Sequence, residues 1–380
     1  MDQKVYFPNL DGLRFFAFFY VFMYHCYFQV PVQGEDYNLY LAFHKLWENG
    51  DLGVNFFFTL SGFLITYLLL VEEKKKKRFS IRGFYWRRTL RIWPLYFTTL
   101  IFGYFIFQLL LLLVNADIDE TANIWYYVFF LGNFNSILNG APVSSTLSVL
   151  WSLAIEEQFY LFWPILLLIF KKYRLHLFVI LIMISLAFRA MHYHDHNLIF
   201  YHTFSVMSDL VVGSWLGWWS FNRKFKQGGS YAIPKMNNAL IYLLGFVLMF
   251  FRKELFVDPV MVILERLLFS LFFAFIIFDQ TFSRTSIFKI SNFEKISFWG
   301  KFTYGLYCLH IPAMVFTEGF AMIGEVHESV WWVFFGKTLS TFLLSLIFCR
   351  ISYRYLESPF LRFKEATFRQ NLMQKTIDTR

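Results

Sequence analysis

The chemistry this chain can do is concentrated in a few ionisable side chains set among apolar neighbours. The stretch NLDGLRFFAFFYVFMYHCYF, residues 9–28, carries Asp11, Arg14 and His25. Each ionisable group at membrane depth costs about 2.5–3.5 kcal/mol on insertion scales, so three in one apolar helix call for a use. Asp11 and Arg14 sit one helical turn apart. His25, 11 residues beyond Arg14, returns to within ~20° of the same face about 16 Å higher. Phe15, Phe16, Phe19 and Phe22 point elsewhere, so one face reads as the wall of a polar cavity. In SVLWSLAIEEQFYLFWP, Ser152, Glu156 and Tyr160 share a face, whereas Glu157 points ~100° away. Glu156 and His25 are expected to meet in the same half of the membrane, where a carboxylate orients an imidazole as a general base. A structural glutamate paired with an arginine is the competing reading.

Further residues have two readings each. Arg87, Arg88 and Arg91 open the run RRTLRIWPLYF. Arg87 and Arg91 stack on one helical face, and arginine forks hold phosphates bidentately. The same arginines also serve as topology anchors. Ser61-Gly62, inside FFFTLSGFLIT, is either a packing site that lets a backbone or ligand come close, or it carries a nucleophile at Ser61. Tyr307 and His310 lie one turn apart beside Pro312 and either line the cavity or form a buried hydrogen-bonded pair. Glu357 is placed to pair with Arg354 near the last helix end, chiefly as structure. The stretch MHYHDHNLIFYH (191–202) lacks the fixed geometry of a metal site, and no metal is expected.

The elements that position these groups follow from composition. Of 380 residues, 57% are hydrophobic, 53 are Phe and only 16% are charged, which is a membrane composition. Hydropathy predicts an all-α, polytopic integral membrane protein with about ten transmembrane helices around a central channel. The spans are roughly 9–29, 52–71, 93–114, 148–170, 175–190, 204–220, 238–252, 259–279, 301–320 and 331–353. The apolar stretch 124–134 is too short to cross and is expected to be interfacial or re-entrant. Residues 1–363 form one membrane domain and 364–380 a polar cytoplasmic tail. With the N-terminus inside, 28 of the 35 Lys and Arg fall on the inner side and four outside. This bias places both termini in the cytoplasm and reads the net charge of +9 as topology rather than nucleic-acid binding. Lys74 to Arg78 anchors lipid headgroups. No cleavable signal peptide is expected, and Cys26, Cys308 and Cys349 lie in apolar segments unsuited to disulfides.

Taken in order, LDGLRFFAFFYVFMYH, FFFTLSGFLIT, RRTLRIWPLYF, WSLAIEEQFYLFWP, YGLYCLHIP and YLESPFLRF resemble the membrane acyltransferase family 3, ten-helix bacterial enzymes that acylate cell-surface glycans. The six motifs run from about Leu10 to Phe363. The resemblance implies that Arg14 and His25 form the essential pair, that Glu156 is the functional glutamate, and that Arg87, Arg88 and Arg91 belong to the acyl-coenzyme A side. The extracytoplasmic hydrolase-like domain that some members carry is not expected here. The implied activity is an O-acyltransferase, most simply an O-acetyltransferase, of the bacterial cytoplasmic (inner) membrane. Acetyl-CoA or another acyl-CoA would be the donor substrate, with no permanently bound cofactor, and a glycan or lipid-linked saccharide the acceptor. A proton-coupled or solute transporter would also use intramembrane Arg, His and Glu, but no inverted repeat is visible.

Overall fold

The computed structural model describes residues 5–27, 37–113, 120–225, 231–323 and 331–363. Among them the chain is helical, with one isolated bridge between Tyr231 and Ser283 and no strand, as the all-α expectation requires. The expected tail, 364–380, lies outside the described residues. The longer helices are α1 (Pro8–Tyr27), α2 (Leu52–Lys76), α3 (Ile81–Ile101), α4 (Leu150–Ile169), α5 (Arg174–His192), α6 (Thr203–Asn222), α7 (Lys235–Phe250), α8 (Pro259–Phe282), α9 (Thr303–Ile323) and α10 (Thr338–Ser352).

Six helical runs among the described residues are long and apolar enough to cross a membrane: Asn38–Lys76, Ile81–Leu112, Ser145–Ile169, Arg174–His192, Pro259–Phe282 and Trp332–Phe363. Helices α1, α6 and α9, with 20, 20 and 21 residues, have the ~30 Å length of a crossing but carry polar groups that lower their hydropathy. Helix α7 is a shorter apolar helix. The outward faces fit a lipid solvent. Leu161, Phe162, Ile165 and Ile169 of α4, and Val179, Ile180, Met183 and Ile184 of α5, are all exposed, an apolar surface broader than water tolerates.

Small residues set the core. A Cβ on Gly62 of α2 would stand 1.9 Å from the Leu210 carbonyl oxygen, and one on Gly213 of α6 would stand 1.8 Å from that of Thr59. The two helices therefore pack backbone to backbone, as small residues permit inside membranes. The close approach expected at Gly62 is thus made by Leu210. Ser61, one position earlier, is left facing the other way, toward α4. Trp163 of α4 donates its indole N–H to Thr66 Oγ1 of α2 at 2.8 Å. Buried Arg266 of α8 donates to Asp209 of α6 (2.7 and 3.1 Å) and to Asn55 of α2 (2.9 Å), joining three helices.

The stretch expected to be interfacial or re-entrant forms two short helices, Ile124–Val128 and Gly132–Asn139. Asn133 is fully buried and donates to Tyr201 O and Thr203 Oγ1, while Gln158 of α4 donates to Asn133 Oδ1 and Phe130 O. Irregular backbone survives beside a membrane only when protein supplies its hydrogen bonds, and these side chains do so. Helix α3 starts where Ser80 accepts from the Gly83 amide, which gives the arginine run its helical register.

Candidate active site

Helices α1, α2, α3, α4 and α9, with the turn at Gly300–Thr303, enclose a cavity of about 420 Å³. That lies within the ~300–1,000 Å³ of ordinary ligand sites. Helix α1 presents Asp11 and Arg14 to it, α2 presents Ser61, α3 presents Arg88 and Arg91, α4 presents Ser152, Glu156 and Tyr160, and α9 presents Tyr307. Residues far apart in the chain thus face one volume, because each helix keeps its polar positions one or two turns apart on one side.

Glu156 organises the middle of the cavity. Ser61 donates its hydroxyl to Glu156 Oε1 at 2.8 Å, Tyr160 donates to Oε2 at 2.7 Å, and the two hydroxyl oxygens are 3.2 Å apart. The Arg88 guanidinium lies 5.1 Å from the Tyr160 ring centroid, a cation–π contact between two lining residues. Arg91, like Tyr6 and Lys301, is an exposed residue of the lining. Neither Arg88 nor Arg91 forms an ion pair with a described residue. Arg14 donates to Asp11 Oδ1 at 2.5 Å, and Asp11 also accepts from the Tyr6 hydroxyl at 2.6 Å. With Lys301, the lining carries four cations against the two carboxylates Asp11 and Glu156, a surplus that suits an anionic ligand. Glu157 faces away as its position predicts, and accepts from the Trp93 indole at 3.1 Å.

The histidines form a separate layer. Ser152 Oγ and Tyr307 OH are 2.7 Å apart in the cavity wall. Beyond them His25 Nδ1 lies 2.9 Å from His310 Nε2, and His310 Nδ1 lies 2.7 Å from the Tyr307 carbonyl oxygen. Phe18 and Phe22 pack against the His310 ring, which is 1% exposed. This corrects the expected pairing of Glu156 with His25: both Glu156 oxygens are taken by Ser61 and Tyr160, and the neighbour of His25 is His310. Neither histidine lines the cavity.

Two more expectations change. Arg87 does not line the cavity; it pairs with Glu72 of α2 at 3.0 Å. Positions 88 and 91, at i and i+3, both reach the cavity, and Arg87 flanks them. Glu357 is likewise absent from the lining. It accepts from Ser352 at 3.2 Å, while Arg354 lies over the Tyr355 ring. Residues 353–357 form a π-turn, and that wider turn abolishes the i,i+3 pairing expected of an α-helix. Sequence reasoning overlooked Tyr6, Lys301 and Tyr304, all lining residues. Tyr304 carries a signal, lying one turn before Tyr307; Lys301 reads in the sequence as one of the inner-side topology charges, and Tyr6 precedes α1 and carries none.

A sequence profile described as an acyltransferase domain matches residues 7–350. The peptidoglycan O-acetyltransferase OatA of Listeria monocytogenes is 29% identical over 378 residues, covering 94% of this chain and 56% of that protein. The putative O-acetyltransferase SACOL0978 of Staphylococcus aureus is 29% identical over 379 residues, with 93% and 57% covered. The putative peptidoglycan O-acetyltransferase YrhL of Bacillus subtilis is 28% identical over 376 residues, with 93% and 55% covered. The chain therefore spans a little over half the length of these curated relatives. No solved structure matches it significantly. The profile match extends from α1 through α10 and so takes in both the arginine-lined cavity and the histidine layer beyond it; the chain belongs to the acyltransferase family 3.

Proposed function

We propose that this chain is a membrane O-acetyltransferase that moves an acetyl group from acetyl-coenzyme A to a hydroxyl of a cell-wall glycan. It crosses the bacterial cytoplasmic membrane ten times, helices α1 to α10 each passing once, with both termini inside; the 28-to-4 distribution of Lys and Arg supports that orientation. The observation that carries the reading is the cavity with Arg14, Arg88 and Arg91 on its walls and an imidazole one layer beyond it. Coenzyme A enters at the cytoplasmic mouth, its phosphates on Arg88 and Arg91, and its pantetheine arm runs up the polar face of α1. That face separates Arg14 from His25 by about 16 Å, which fits an extended arm if the Ser152–Tyr307 contact opens.

The reaction needs little beyond a base and charge stabilisation, since a thioester is already activated. His25 takes the proton of the acceptor hydroxyl, the oxygen attacks the acetyl carbonyl carbon, and the carbon–sulfur bond breaks. The thiolate leaves with the proton that His25 returns, so the histidine ends neutral. A positioned base is worth about 10²–10⁴-fold. The names of the relatives, two of which specify peptidoglycan, support a cell-wall glycan as acceptor. Family membership turns the reading away from a solute transporter.

The test has two arms. Mass spectrometry of cell-wall glycan from a deletion strain should show loss of O-acetyl esters, restored by the wild-type gene and not by His25→Ala. Calorimetry of the purified chain should show acetyl-coenzyme A binding that weakens tenfold or more in Arg88→Gln/Arg91→Gln, while Arg87→Gln, paired to Glu72, stays near wild type. Unchanged acetylation in the deletion strain, or unchanged donor affinity in the double variant, would overturn the respective half of the reading.

A further inference from the structure

We propose that His310 is a positioning residue that fixes the tautomer of His25, leaving Nε2 of His25 bare as the proton acceptor. The inference rests on His25 being the base and adds how it is held. It follows from hydrogen-bond bookkeeping along one chain of atoms. The Tyr307 carbonyl oxygen can only accept, so its 2.7 Å contact with His310 Nδ1 requires a proton on that nitrogen. A neutral His310 protonated at Nδ1 has no proton on Nε2. The 2.9 Å contact between His310 Nε2 and His25 Nδ1 is then donated by His25. A neutral His25 with its proton on Nδ1 presents a lone pair on Nε2.

The opposite arrangement, with His25 protonated at Nε2, needs a proton on both nitrogens of His310. That would bury an imidazolium with no carboxylate among the described residues paired to it; the rings packed on His310 are Phe18, Phe22, Tyr307 and His25, and an unpaired buried charge is strongly destabilising. The two histidines also differ in access: His310 is 1% exposed, whereas His25 is only partly buried. The inner ring serves as a fixed acceptor and the outer one keeps an edge for substrate. When His25 Nε2 takes the hydroxyl proton, its Nδ1–H bond to His310 becomes charge-assisted and shortens, so the partner stabilises the imidazolium as it forms. A neutral imidazole in this place does what a carboxylate does in a catalytic triad without adding a buried negative charge.

The tautomer is directly measurable. Full-length protein with ¹⁵N-labelled histidine in lipid nanodiscs, its His25 signals assigned by their loss in His25→Gln, should show His25 protonated at Nδ1 and bare at Nε2. In His310→Phe, which keeps the ring and removes the acceptor, the His25 signals should move toward a mixture of tautomers. Release of coenzyme A from acetyl-coenzyme A in membranes supplied with cell-wall glycan gives the kinetic arm. His310→Phe should lower kcat about tenfold or more with donor KM unchanged, and His310→Gln, whose amide oxygen can accept from His25, should recover most of the loss. A merely structural role would move KM and kcat together and give no rescue by Gln. His25 protonated at Nε2 in the wild type, or His310→Phe at full kcat while His25→Gln is inactive, would overturn the proposal alone. Full activity in His25→Gln would instead remove the base on which it rests.

Discussion

Glu156 and Glu157 are adjacent, yet their surroundings assign them different work. Glu156 holds the hydroxyls of Ser61 and Tyr160 inside the cavity, and an acceptor-only carboxylate at that place fixes both as a unit. Glu157 receives one indole N–H on the other side of α4, and its second oxygen is buried without a partner. Glu156→Gln replaces one acceptor oxygen by a donor facing a donor, so turnover of acetyl-coenzyme A should fall by about 10²-fold or more, as for loss of a positioned catalytic group. Glu157→Gln should retain most activity, since the amide can still accept from Trp93 and its N–H₂ adds donors beside an oxygen that lacked one. Rates of the two variants in membranes, each normalised to folded protein, decide it; equal losses would count against the assignment. The arginines follow the same logic. Arg87 spends its charge on Glu72 at 3.0 Å, an ion pair at the helix ends worth about 0–1 kcal/mol, which leaves Arg88 and Arg91 for a ligand.

The positions of these side chains depend on how closely their helices approach, and at α2 and α6 that distance is set by absent side chains. Any Cβ at Gly62 or Gly213 would fall within 2 Å of a backbone carbonyl oxygen, an atom that cannot rotate away. Gly62→Leu must push α6 outward or α2 toward α4, carrying Ser61 with it. Overpacking of this kind costs about 1–3 kcal/mol, so the variant should melt several degrees lower in detergent and lose activity disproportionately, because Ser61 no longer meets Glu156. Gly319 of α9 has open space where a Cβ would go, and Gly319→Ala should leave both the melting temperature and the activity unchanged. A Gly62→Leu protein with wild-type melting and rate would show that the two helices do not pack backbone to backbone.

Across the whole molecule, buried polar links pin the helices that carry no cavity residues to those that do. Arg266 on α8 reaches Asp209 on α6 and Asn55 on α2, and all three are at least 95% buried. Removing one partner of such a pair leaves an uncompensated buried charge and costs about 3–5 kcal/mol. Arg266→Ala should therefore lower stability by that amount in denaturant titrations and reduce the yield of folded protein. Arg266→Met/Asp209→Leu, which removes both charges at similar volume, should recover most of it. Equal stability of the single variant and the wild type would show that the cluster does not hold these helices together. The same principle appears where Gln158 of α4 donates to the Phe130 carbonyl oxygen between the two short helices, a backbone acceptor that irregular structure leaves to a side chain.

Much of this was legible along the chain, because periodicity within one helix is a local property. The 3.6-residue repeat put Asp11 with Arg14, and Ser152 with Glu156 and Tyr160, and it turned Glu157 away; the cavity contains the first five and excludes the last. The membrane class followed from composition, and the short segment near 124–134 from its length. Relations between helices were not legible. His25 meets His310 across 285 residues, and Ser61 meets Glu156 across 95. These partners depend on the rotation and depth of each helix against its neighbours, which contacts such as Gly62 on Leu210 decide. The choice of Arg88 over Arg87 has the same origin: both lie on one short helical run, and only the placement of Glu72 on the adjoining helix withdraws one of them. Even the local rule failed at Glu357, where a π-turn replaced the α-helical register that the expected pair with Arg354 required. Ionisable residues in apolar helices marked where chemistry must be, because burying them is costly; packing alone decided which of them face one another.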